Sequence, residues 1–229
     1  MRIGIFGGTF NPIHIAHLRI AEEVRVRFSL DQICFIPASI PPHKETNIAR
    51  AENRLELVQQ AISSNPYFTL SDIEIQRKGP SYTIDTIKVC KSNWKDRSQI
   101  FFIVGSDAFL EIDTWKSYRL LFDLISFIVM PRPQNNVIEQ KNQPDYQSIK
   151  PLIDTMQRFI IQKVSSDYVY NNDGMFYHPK KQPIYICQVT ALNISSTDIR
   201  NYCKQKKSVR YLVPDDVMRY IQNNKMYDS

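Results

Sequence analysis

A chain of 229 residues with 43% hydrophobic and 23% charged side chains is long enough for one large domain with a buried core, and its mere 6 glycines exclude a low-complexity or collagen-like polymer. Its 29 Lys and Arg against 23 Asp and Glu leave a charge of +6, a mild surplus that suits anionic small molecules, and no basic run is concentrated enough for a nucleic-acid-binding arm. The apolar start is too short for a secretion signal and no stretch approaches the roughly 20 residues of a bilayer span. Cys34, Cys90, Cys187 and Cys203 lie far apart with no C-x-x-C pair, so a reduced, soluble, cytoplasmic protein without membrane or nucleic-acid partners is expected.

Residues 3–6 open the chain as a strand buried on both faces, and residues 33–36, 100–104 and 125–130 repeat that pattern. After the first strand, Leu18, Ala21, Val24 and Phe28 share one helical stripe, with Arg19, Glu22, Glu23 and Arg27 elsewhere. Periodicity predicts helices around 51–62 and 83–90 and a further strand around 69–75. Such alternation gives a doubly wound, mostly parallel α/β sheet, whose ligands bind beyond the carboxyl ends of the strands where the strand order reverses. The pattern weakens after Pro131-Arg132-Pro133. Polar residues 135–145 read as a loop, 149–161 as a helix, and 168–177 as a hairpin around an Asn/Asp-Gly turn. Residues 134–183 therefore read as an insertion within a single domain spanning 1–229. Residues 184–189 resume the core pattern, and two short helices, after Ser195-Ser196 and after Pro214, make a C-terminal helical segment over 195–229.

Residues 7–17 read Gly7-Gly8-Thr9-Phe10-Asn11-Pro12-Ile13-His14-Ile15-Ala16-His17, directly after a strand and directly before a helix. The two glycines let the backbone turn sharply and offer N–H groups to an anion, and the helix adds the positive end of its dipole. Neither the dinucleotide fingerprint nor the P-loop pattern is present. His14 and His17, three apart at a helix start, share a face and can donate to phosphate oxygens. Either histidine alone reads as an ordinary core residue; the pair beside a glycine turn reads as phosphate binding. Three of the 4 histidines (His14, His17 and His43) fall in the first fifth of the chain. A zinc site needs further ligands, and Cys34, in an apolar strand-like run, is a poor one. No metal-ligand set is assigned.

The run resembles the Gly-Gly-Thr-Phe-Asp-Pro-x-His-x-Gly-His signature of nucleotidylyltransferases. Further along come Pro41-Pro42-His43-Lys44, Ser81-Tyr82-Thr83, Gly105-Ser106-Asp107 with Trp115, and Arg132-Pro133. Ile194-Ser195-Ser196-Thr197-Asp198-Ile199-Arg200 and Tyr211-Leu212-Val213-Pro214 follow. This ordered series is similar to the motifs of bacterial nicotinate mononucleotide adenylyltransferases and covers nearly the whole chain apart from the insertion. The resemblance implies a Rossmann-like nucleotidylyltransferase fold and an enzyme that transfers AMP from ATP to nicotinate mononucleotide, giving nicotinate adenine dinucleotide and pyrophosphate.

By the same resemblance, ATP lies on Gly7, Gly8, Thr9, Phe10, His14, His17, Gly105, Asp107, Arg132, Ser195, Ser196, Thr197 and Arg200. The acceptor lies on His43, Lys44, Tyr82, Thr83 and Trp115, with Trp115 stacked on the pyridine ring and the backbone N–H groups of Tyr82 and Thr83 on its carboxylate. His14, His17, Lys44 and Arg200 carry catalysis, which in adenylyl transfer is mostly positioning and charge stabilisation and needs no covalent nucleophile. Mg²⁺ is expected on the ATP phosphates rather than in a protein cage. Ser195 and Asp198 also fit a helix capping box, with spare hydroxyls and N–H groups facing the phosphates. Two departures stand out: Asn11 where the bacterial pattern has Asp, and Ala16 where it has Gly. Nicotinamide mononucleotide as acceptor, a sister adenylyl- or cytidylyltransferase, and a non-catalytic nucleotide sensor stay open as alternatives, as does a homodimer.

Overall fold

The first strand, β1 (Arg2–Gly8), lies at the middle of the sheet and sets the frame for everything after it. The computed structural model describes residues 1–40, 48–77, 79–94, 98–131, 146–171 and 173–228. In chain order, β1 is followed by α1 (Ile15–Arg27), β2 (Gln32–Pro37), α2 (Ala51–Ile62) and β3 (Phe68–Leu70). A short α3 (Ile73–Gln76) and α4 (Thr83–Asn93) lead back to β4 (Gln99–Gly105). Next come α5 (Ser106–Leu110), α6 (Tyr118–Leu124), β5 (Ser126–Met130) and α7 (Tyr146–Lys163). The chain closes with β6 (Val169–Asn171), β7 (Met175–Tyr177), β8 (Ile184–Ile186), α8 (Ser196–Lys204) and α9 (Asp215–Asn223).

One sheet of eight strands runs β3-β2-β1-β4-β5-β8-β7-β6. The pairings among the first six are parallel, whereas β6–β7 and β7–β8 are antiparallel. The sequence reading of a doubly wound, mostly parallel sheet is thus what the chain adopts. The strand order reverses between β1 and β4, and Phe6 pairs with Ile103 there, so Gly8 and Gly105 stand level at the carboxyl ends. A crevice for ligands opens at such a switch point.

Period-2 alternation divides β1 between two apolar layers. Ile3 and Ile5 join one with α4, α6 and α7, while Phe6 joins the other with α1, α2, α8 and α9. Each fully buried aromatic, such as Phe35 or Phe127, contributes about 2–3 kcal/mol of apolar burial. Gly4 faces the Phe6 layer, where a Cβ would come within 2.6 Å of the Ile33 side chain and 2.9 Å of Leu30.

The helix expected over 51–62 spans those residues, and the one expected over 83–90 runs three residues further. The strand expected over 69–75 ends at Leu70 instead. Ser71 N–H still donates to the Phe35 carbonyl at 3.0 Å, but the Asp72 carbonyl then accepts from Ile75 and Gln76 at 2.8 and 2.9 Å. Asp72 also accepts from the Gln76 amide at 2.6 Å, so a turn-forming acid converts the apolar pair Ile73/Ile75 from strand to helix. The strand expected over 184–189 is likewise shorter, and α5 and α6 were not anticipated. The hairpin over 168–177 forms as β6 and β7; β7 also pairs with β8, so this segment lengthens the same sheet. The loop expected over 135–145 lies outside the described residues. No helix among the described residues is long and apolar enough to cross a membrane.

Candidate active site

Beyond Gly8 the chain reverses through Phe10, whose backbone is left-handed at φ 47°, and through a cis Asn11–Pro12 peptide. A Cβ at Gly8 would sit 3.0 to 3.2 Å from three atoms of the Phe10 ring and would press that ring aside by a few tenths of an ångström. That ring is edge-on to Phe6 at 5.8 Å and to His17 at 5.2 Å. His14, extended at φ −148°, starts α1. Its N–H donates to His17 Nδ1 at 3.2 Å, so His17 does for the helix start what Glu or Gln does in a capping box. Because Nδ1 accepts, the ring proton of His17 sits on Nε2, and that nitrogen is the donor.

The two imidazoles stack, with ring centroids 3.7 Å apart and planes at 27°. His14 is only 6% exposed. Burial lowers its pKa to about 4, so the ring is neutral at pH 7 and does not repel its neighbour. Its Nδ1 is buried, and the side chain faces the His17 N–H in the reciprocal half of the same capping box. The sequence placed the two histidines on one face; the fold brings the rings into contact.

The second helix start comes from the far end of the chain. Ser195 precedes α8; its Oγ accepts from Asp198 N–H at 3.1 Å and donates to the Asp198 carboxylate at 2.6 Å. Ser196 Oγ donates to the Pro12 carbonyl at 2.8 Å. Arg200 donates to the Asn11 carbonyl at 2.8 Å and to Thr197 Oγ1 at 3.2 Å. Of the hydroxyls expected to be spare, Ser196 fastens α8 to the glycine turn, while Ser195 and Thr197 bond to Asp198 and Arg200 of α8 itself. What this helix presents is its first backbone N–H groups and the positive end of its dipole, beside the start of α1.

On the other side of β4, Trp115 is half-buried and stands edge-on to Phe102, with centroids 6.1 Å apart. Phe102 in turn comes within 3.8 Å of where a Cβ of Gly7 would lie. Tyr82 precedes α4, but its N–H donates to the Pro80 carbonyl at 3.1 Å. Of the two amides expected to meet a carboxylate, that of Tyr82 is thus engaged within the chain, and Thr83 is the first residue of α4. Lys116 lies over the Tyr82 ring at 4.7 Å and pairs with Asp85 at 2.9 Å. Gly105 ends β4, and exposed Asp107 lies in the first turn of α5. His43, Lys44 and Arg132 lie outside the described residues.

Residues 5–202 match the cytidylyltransferase-like family. A probable nicotinate-nucleotide adenylyltransferase of Desulfatibacillum aliphaticivorans is 41% identical over 231 residues, covering 99% of this chain and 100% of that protein. The protein of the same name from Geotalea uraniireducens is 40% identical over 100% of this chain and 99% of its own. The chain belongs to the nicotinate-nucleotide adenylyltransferase family. In three dimensions it is similar to a Plasmodium falciparum nicotinic acid mononucleotide adenylyltransferase complexed with NaAD. The TM-score is 0.70 at 18% identity, over 99% of this chain and 97% of that one, a likeness of fold.

Within this nicotinate-nucleotide adenylyltransferase-family chain, one residue that sequence reasoning passed over holds the site together. Arg54 on α2 is 1% exposed. Its guanidinium donates to the carbonyls of Thr9 at 2.7 Å, Ser39 at 2.9 Å and Ala49 at 3.0 Å, joining the glycine turn to both flanks of residues 40–48. Burial lowers its pKa, yet a guanidinium stays charged. A signal existed: Arg54, Leu57, Val58 and Ala61 fall on one helical stripe, so the cation sits where a core residue belongs. Asn11, at the family's Asp position, is buried, and its Oδ1 accepts from Ala49 N–H at 3.1 Å. Ala16 is buried within α1.

Burial raises the Cys34 and Cys90 thiols to about 11 and about 12, which makes them poor metal ligands. Among the described residues no cluster of metal-ligating side chains occurs. The donors gathered at the glycine turn are N–H groups, imidazoles and a guanidinium. Such a set fits a metal ion carried in on phosphate oxygens, not one caged by protein carboxylates.

Proposed function

We infer that this protein transfers the adenylyl group of ATP to nicotinate mononucleotide, producing nicotinate adenine dinucleotide and pyrophosphate for NAD biosynthesis. The observation that carries the reading is the stacked pair of buried His14 and half-buried His17 beside two helix starts, a site made of donors and suited to a triphosphate.

A phosphate oxygen of the mononucleotide forms a bond to the α-phosphorus of ATP. The bond from that phosphorus to the bridging oxygen breaks, and the electron pair leaves with pyrophosphate. His17 Nε2–H donates to the oxygens on which negative charge accumulates, and His14, held neutral by burial, stacks against that ring and fixes its direction. Backbone N–H groups of Gly8, Thr9 and Phe10 and of the first turn of α8 cradle the phosphates, with Arg200 as fixed charge. Gly7, Gly105 and Asp107 border the adenosine at the strand ends. By the family motifs, Lys44 and Arg132 add positive charge and His43 contacts the acceptor. Trp115 stacks on the pyridine ring, and the Thr83 amide receives its carboxylate. A Mg²⁺ ion brought in on the polyphosphate would supply charge neutralisation to the leaving group, with no protein carboxylate needed to hold it.

Pyrophosphate release tests this directly. With ATP and Mg²⁺, nicotinate mononucleotide should support turnover, nicotinamide mononucleotide should be slower, and chelating the metal should stop both. No release with either acceptor from folded protein would return the chain to the class of nucleotide-binding sensors.

A further inference from the structure

We propose that Tyr227 is a positioning residue of the active site, acting through Asn11 on the turn that holds the triphosphate. After α9 the backbone is left-handed at Lys225 (φ 48°) and again at Tyr227 (φ 65°). Neither is glycine, and L-residues adopt this conformation only where their surroundings impose it. The two residues bracket Met226, which is buried in the same apolar layer as Phe10 and Ile13 and whose N–H donates to the Ile221 carbonyl at 3.0 Å. That path delivers the Tyr227 hydroxyl to Asn11 Oδ1 at 3.0 Å.

Asn11 is thereby held from three directions. Its Oδ1 accepts from Tyr227 and from Ala49 N–H, and its carbonyl accepts from Arg200. Asn11 lies between Phe10, whose ring touches His17, and Pro12, whose carbonyl takes the Ser196 hydroxyl. A displacement of Asn11 therefore moves the Arg200 guanidinium and the start of α8. Burial holds the Tyr227 phenol well above its ordinary range, against the opposing pull of Arg200 and Arg54, so it remains protonated and donates at any working pH. Beyond α9 the backbone bends twice into a disfavoured conformation and so brings Tyr227 to the glycine turn.

The proposal rests on the reading that Arg200 faces the ATP phosphates, and its test separates the two. Tyr227→Phe keeps the ring and removes only the hydroxyl. KM for ATP should rise about fivefold, as expected for one hydrogen bond, with KM for nicotinate mononucleotide unchanged and Tm lowered by no more than about 4 °C. Asn11→Ala should raise KM for ATP by itself, and adding Tyr227→Phe to it should raise it no further, because the tyrosine acts through that side chain. An unchanged KM for ATP in Tyr227→Phe, or a fully additive double variant, overturns the proposal. Arg200→Ala is the control. If it raises KM for ATP while Tyr227→Phe does not, only the role of Tyr227 falls; if it leaves KM for ATP unchanged, the site reading falls with it.

Discussion

Replacing His17 by Ala separates catalysis from folding more cleanly than any other single change in this site. The side chain has two jobs, one on each ring nitrogen. Nδ1 accepts the His14 N–H at 3.2 Å, and losing that bond removes about 1 kcal/mol of stability. For a domain of this size that is a fall of about 2–4 °C in Tm. In the proposed reaction Nε2–H is the preorganised donor for the oxygens that gain charge, and removing one such donor costs about 2.7–4 kcal/mol in the transition state, or two to three decades in turnover. His17→Gln divides the two effects, since a Gln oxygen at this third helical position reaches back to the His14 N–H and restores the cap. Steady-state pyrophosphate release with saturating ATP and nicotinate mononucleotide, beside thermal unfolding of the same samples, reads both. The expected pattern is Ala slow and slightly less stable, Gln slow and as stable as the parent. Turnover of folded His17→Ala within a few-fold of the parent would refute the donor role.

His14 predicts a pH dependence of stability. Its pKa is about 4 in the folded protein against an ordinary 6.5, so between those values the unfolded chain binds the extra proton. Stability from this residue is complete above pH 6.5 and declines as pH falls toward 4, by roughly 3 kcal/mol in total. Denaturant unfolding of the parent should show that slope and His14→Asn should lack it; parallel profiles would contradict the buried, neutral assignment. Arg54→Met strips donors from three carbonyls, at about 1 kcal/mol or more each, and relieves the burial of one cation only in part. A net loss of about 3 kcal/mol, seen as a Tm lower by about 6–12 °C, is expected, and an unchanged Tm would show that those bonds contribute nothing.

The parts of this fold that could be read from sequence are those whose signal is local. Near-continuous apolar runs gave the four central parallel strands, and helical periodicity over 51–62 gave α2 at both ends. Ile73 and Ile75 alternate as a strand would, yet Asp72 turns them into a helix by hydrogen bonds that alternation does not encode. The start of α5 was hidden because Gly105 ends a strand and begins a helix with no loop between, and α6 follows a left-handed Ser117. The site divides the same way. The spacing of His14 and His17 announced a shared face, whereas Arg54 and Tyr227 act on Thr9 and Asn11 across 45 and 216 residues. Among the described residues Arg54 binds only backbone oxygens, which every residue has, so no motif could name its partners.

The bonds from Ser196 to Pro12 and from Arg200 to Asn11 join residues 184 and 189 apart in the chain. During synthesis at roughly 5–20 residues per second, the first histidines leave the ribosome roughly ten to forty seconds before the helix that completes their surroundings. A prematurely terminated product would carry the glycine turn with only one of its two dipoles and without the guanidinium at Asn11. Nascent and truncated chains therefore lack half of the turn's fastenings, an ordering in time that follows from connectivity alone.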